Sequence, residues 1–147
     1  MWKTLIFALT AIALVAHADP DVFNPSQVAK TGLTKVQAQQ VLRVVLKHLR
    51  FNLGKEGMFI DGDISGANGQ AMRPGYIDFA LTYDTPSAAA TDVLGTWSVD
   101  ILTGDVLENT RCKRYRFAGL KRLQAAISAR TGVALPPEKL ALGRIGC

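Results

Sequence analysis

Few side chains in this sequence are arranged to do chemistry, and the most suggestive run is Asp61-Gly62-Asp63-Ile64-Ser65-Gly66. Oxygen-bearing side chains at alternate positions, followed by a glycine for the sharp turn, form the first half of a calcium loop. The second half does not follow. Asn68 stands at the eighth position of the loop and Met72 at the twelfth, where a bidentate glutamate would close the site. Asp61 and Asp63 also form a carboxylate pair, but neighbouring acids in a glycine-rich loop are ordinarily solvated and carry no acid–base role by themselves. A nucleophilic arrangement is equally thin. Apart from His17, which falls in the leader considered next, His48 is the sole histidine, so it would have to serve a serine or Cys112. No catalytic residue, metal ligand set or cofactor is assigned from this inventory.

The elements that carry these groups begin after a leader. Lys3 supplies a positive start, residues 5–15 are almost wholly apolar, and Ala16-His17-Ala18 has the small-x-small form of a cleavage site. Residues 1–18 therefore read as a secretory signal, too short an apolar run to span a bilayer, and residues 19–147 as one domain with no stable membrane anchor. Export places Cys112 and Cys147 in an oxidising space, where an intrachain disulfide is the expected pairing and an intermolecular bridge the alternative.

Within the domain, Thr34-Lys35-Val36-Gln37 has the form of a capping box, and Ala38, Val41, Leu42, Val45 and Leu49 recur at helical spacing, which predicts a helix over 35–50. Short extended runs follow at 58–60, 76–83, 97–101 and 106–107, with Thr103-Gly104 turning the last pair. The helical period returns over 114–130 with Leu120, Leu123 and Ile127, and Gly132 ends it; a tail holding Pro136-Pro137 runs to Cys147. This order predicts an α+β fold, a small antiparallel sheet with two main helices packed on one face.

The helix followed by Val99-Asp100-Ile101-Leu102-Thr103-Gly104-Asp105-Val106 resembles the PepSY domain pattern, a helix and then a V-D-x-x-T-G-x-V hairpin. That resemblance implies an exported binding or inhibitory module without catalytic residues.

Charge is segregated along the chain. Residues 30–55 hold six bases and no acid, 56–108 nine acids against Arg73 alone, and 111–130 seven bases and no acid. The helices are thus basic and the sheet region acidic. Part of this is plain intramolecular compensation; the functional reading is a polarised surface that meets a cationic protein partner on the acidic side. Export and the low aromatic content, 7%, argue against nucleic acid. Together these features imply an exported, periplasmic or secreted binding protein, an inhibitor or immunity protein of a cell-wall-degrading toxin enzyme. The alternatives are a PepSY-type envelope sensor or accessory module and a secreted hydrolase. The partner-binding residues are expected in the acidic loop, Asp61, Asp63, Asn68 and Arg73, with Lys113, Arg114 and Arg116 as a second, basic docking patch.

Overall fold

A computed structural model describes residues 23–62, 72–85, 87 and 89–147. The expected leader, 1–18, and the loop residues Asp63 and Asn68 lie outside them.

Helix α1 (Lys35–His48) starts where the capping box places it: Thr34 Oγ1 accepts from the Gln37 backbone N–H at 3.3 Å, and Gln37 Oε1 accepts from that of Thr34 at 2.9 Å. Its buried stripe is Ala38, Val41, Leu42, Val45 and Leu46. Five strands follow, β1 (Met58–Gly62), β2 (Tyr76–Thr85), β3 (Ala90–Asp100), β4 (Val106–Glu108) and β5 (Lys113–Arg114), paired antiparallel in the order of the chain. Helix α2 (Ala118–Thr131) ends on Gly132, whose φ of 76° is the left-handed conformation that glycine adopts without steric cost. A short helix α3 (Glu138–Arg144) closes the chain.

The two faces of the sheet have different fates. On the inner face Phe79, Leu81, Trp97, Val99 and Val106 pack against the stripe of α1 and against Leu120 and Ile127 of α2, with Leu49 and Leu123 at the margin, as the apolar periodicities predict. Gly95 is required here, since a Cβ on it would sit 2.6 Å from the Trp97 ring. The outer face is half covered: α3 lays Ala141 and Ile145 over Tyr76 and Leu107. Cys112 and Cys147 form the expected disulfide, with Cα atoms 5.6 Å apart, and so bind the end of the chain to the β5 side of the sheet.

The structure departs from the expected elements in three places. The second helix begins at Ala118, not Arg114, because Cys112 takes a positive φ of 49° and Arg114 pairs with Leu107 as β5. A disulfide and a buried ion pair outweigh the local helical period there. Helix α3 forms within the expected tail, to which the sequence assigned no element; its seven residues are too few to show periodicity and are held by packing. The β2–β3 hairpin is also longer than its alternating core suggests, since β3 starts at Ala90 and carries a register shift opposite Leu81 and Thr82.

Candidate partner-binding surface

The half of the outer face that α3 leaves open is built in rows by the strand register. Phe59 lies opposite Thr82 and Thr82 opposite Val93; Asp61 opposite Ala80 and Ala80 opposite Thr96; Asp78 opposite Ser98, beyond which Leu107 already lies under α3. Alternation puts these residues on the side away from α1 and α2. The register shift leaves Leu94 without a cross-strand partner, the geometry of a β-bulge, a device that re-aims side chains. Val93 is 62% exposed, Leu94 43%, Phe59 42% and Met72, just before β2, 58%.

Behind these apolar residues lies a polar network. Arg73 Nη1 donates to Asp78 Oδ1 and to Ser98 Oγ, each at 3.1 Å. Ser98 also hydrogen-bonds the Asp78 carboxylate, and its Oγ lies 2.8 Å from Asn109 Oδ1. Asp78 and Ser98 are buried, and the charge of Asp78 is held by Arg73 and by the Ser98 hydroxyl. Met72, Arg73, Asp78, Thr96 and Asn109 enclose an open hollow of about 200 Å³ over this network.

The residues assigned from sequence fall into separate groups. Asp61 is exposed near the end of β1, on the open outer face, and Arg73 stands at the start of β2, drawn onto that same face by Asp78. The three basic residues do not form one patch. Lys113 is exposed, with Nζ 5.2 Å from the centre of the Tyr115 ring, and Arg116 reaches Glu138 at 3.7 Å. Arg114 is buried: its Nε lies 2.9 Å from Asp105 Oδ1, its Nη2 2.8 Å from Oδ2, and its Nη1 donates to the Pro136 carbonyl at 2.8 Å. Burial pushes the Asp105 carboxyl up from its ordinary range, and Arg114 pulls against that shift. Of the pair offered for nucleophilic chemistry, Cys112 is in the disulfide, and the His48 ring stacks on Phe117 with centroids 3.8 Å apart.

Sequence reading passed over Phe59, Met72, Val93 and Leu94 as an exposed apolar set, and Asp78, Ser98 and Asn109 as one network. A signal was present for one of them: two consecutive apolar residues, Val93-Leu94, break the alternation of a strand and mark a bulge. The network joins positions far apart in the chain and leaves no local trace.

Residues 32–139 match the family described as "T6SS, Immunity protein Tgi2PP". A chain from "Structure of a type VI secretion system effector-immunity complex from Pseudomonas protegens" superposes with a TM-score of 0.79 at 45% identity, over 86% of this chain and 98% of that one. No curated protein matches. The family match spans the helix and the hairpin on which the PepSY resemblance rested, and it overturns that resemblance. The turn explains the misreading. Asp100 Oδ1 accepts from the N–H groups of Leu102 and Thr103, Thr103 Oγ1 accepts from that of Asp105, and Gly104 takes a φ of 67°. Those are local demands of turn chemistry, which unrelated hairpins meet with the same residue types. By a match that covers most of its length, the chain belongs to the Tgi2PP family of type VI secretion system immunity proteins.

Proposed function

We propose that this protein is exported to the periplasm, where it binds and neutralises a toxic effector that degrades the cell wall, without catalysing a reaction itself. The family match carries this reading, supported by the likeness to a chain of an effector–immunity complex. Two features of the chain support the finer points. A disulfide that ties residues 35 positions apart suits an oxidising compartment, as does the leader pattern of 1–18. The acidic sheet region suits a cationic enzyme: a protein that grips an anionic wall polymer presents positive charge around its cleft, and the loop opened by Asp61, with Asp63 and Asn68, would imitate that polymer's charge. Arg73, paired with Asp78, stands on the sheet beside that face. Lys113 and Arg116 are left to a secondary contact.

The test uses the chain from Asp19 onward, its purified cognate toxin, and purified peptidoglycan sacculi. The toxin alone should clear the sacculi, an equimolar amount of the protein should stop clearance, and the protein alone should leave them intact. Asp61→Ala with Asp63→Ala should slow association, most at low salt. Sacculi untouched by the toxin would refute the wall as target, and clearance by the protein alone would refute the non-catalytic reading. A mature N-terminus other than Asp19 in a periplasmic fraction would move the cleavage site; a wholly cytoplasmic protein would refute export.

A further inference from the structure

We infer that the open half of the outer sheet face is the surface that docks on a cationic effector, with the hollow over Asp78 receiving one side chain of the toxin and Phe59, Val93 and Leu94 forming the apolar contact beside it. This rests on the reading of the chain as an effector-binding immunity protein and names the surface and the chemistry of what it holds.

Three observations carry it. The first is shape. A hollow of about 200 Å³ falls below the roughly 300–1,000 Å³ typical of small-molecule sites, and it suits a single protruding side chain. The second is charge. The open face carries Asp61, Asp78 and Asp84, and among the described residues on that half Arg73 is the matching cation, already bound to Asp78. The hollow itself is lined by Met72, Arg73, Asp78, Thr96 and Asn109, and Arg73 already pairs with the Asp78 carboxylate there, so the attraction for a cationic partner comes from the exposed Asp61 and Asp84 around it. The third is the apolar set. Phe59 and Val93 flank Thr82 in one row, two rows of about 7 Å each from Asp78, so rim and hollow fit inside one standard interface of about 800 Å² per partner. Exposed aromatic and aliphatic side chains beside a small hollow, with carboxylates around them, have the anatomy of a protein interface. The rival surface is on α3, where Leu140 is half exposed between Lys139 and Arg144; its charge is opposite, which would suit an acidic partner.

The experiment measures binding of the purified cognate toxin to the mature chain. Val93→Asp should weaken binding at least about 30-fold, the scale of a lost interface hot spot, and Thr96→Arg, which fills the hollow and places a cation in it, should do the same. Leu140→Asp should bind within about threefold of wild type. Thermal melts of all three variants keep misfolding apart from lost contact. Wild-type affinity retained by both Val93→Asp and Thr96→Arg overturns the assignment, as does loss confined to Leu140→Asp. A wild-type dimer that Val93→Asp converts to a monomer with unchanged toxin binding would make this face a self-association surface, which also overturns it. If the wild type fails to bind the toxin, the effector-binding reading itself falls, an outcome distinct from tight wild-type binding that the variants leave intact.

Discussion

Removing the Cys112–Cys147 bond tests how the covered half of the outer face is held. The bond closes a loop with a sequence separation of 35, and the chain-entropy relation assigns such a loop about 4 kcal/mol of stability. The double variant Cys112→Ser, Cys147→Ser is a clean probe because serine must adopt the same positive φ of 49° at position 112, so the backbone strain stays and the bond alone is lost. Two outcomes differ physically. If α3 stays docked through Ala141 and Ile145 on Tyr76 and Leu107, helped by the Arg114 contact to the Pro136 carbonyl, the loss appears in global unfolding. If α3 also opens locally, the sheet keeps its inner core and amide exchange in α3 rises beyond what the global loss accounts for. Urea denaturation should show a fall of about 3–4 kcal/mol, about 2 M in midpoint at a slope near 2 kcal/mol/M. Hydrogen exchange of α3 should rise in the variant, and dithiothreitol should reproduce the effect in the wild type. A loss below about 1 kcal/mol with unchanged exchange in α3 would refute the view that the bond holds this helix.

Three further outcomes are expected. Gly104→Ala should destabilise by about 1–3 kcal/mol in the same assay, since alanine resists the φ of 67° and its Cβ would stand 2.4 Å from Ile127 Cδ1. Arg114→Met should cost about 3–5 kcal/mol at pH 7, because it leaves the Asp105 carboxylate buried without its cation; burial already raises that pKa, so the deficit should shrink as acid protonates the group, and a deficit that grows on acidification would contradict the argument. Tyr115, hydrogen-bonded to Glu108, is pushed up to about 12 by burial and by that carboxylate, so the native state keeps a proton that the unfolded chain releases near 10. Stability should then be full below pH 10 and fall by about 2–3 kcal/mol between pH 10 and 12, a slope that Tyr115→Phe should flatten.

Periodic and local features of this chain were legible. The capping box of α1, the glycine that ends α2, the helix stripes and the inner-face strand residues are all encoded within one or two turns of their neighbours, and the structure forms them. The disulfide was legible from compartment and count together. The expectation of an immunity protein, drawn from export, compactness and the lack of a catalytic constellation, is met by the family match. What failed depended on distant partners. Arg114 reads as a helix residue until Asp105 and the Pro136 carbonyl claim it. The turn at Asp100 and Gly104 reads as a family mark although its residues answer only to local hydrogen bonding. Asp61 and Arg73 read as one acidic loop, yet Arg73 is bound to a sheet network that no local pattern reveals.

The two faces of the sheet also explain why so small a domain can present a firm surface. Large side chains such as Trp97, Phe79 and Leu42 are wholly buried on the inner side, so β2 and β3 are anchored along their central residues. The same strands extend past the reach of β4, which pairs only with Trp97, Ser98 and Val99, and carry Val93 and Leu94 outward on that anchored base. A hairpin fixed at its root loses little conformational freedom when a partner seats on its open face, and preorganisation of this kind lowers the entropic cost of association. On the covered half, α3 and the disulfide bury Tyr76 and Leu107, which would otherwise extend the apolar surface toward the polar network. The exposed face is therefore bounded by construction: packing below, a tethered helix on one side, and an acidic, partly apolar area left open at the other.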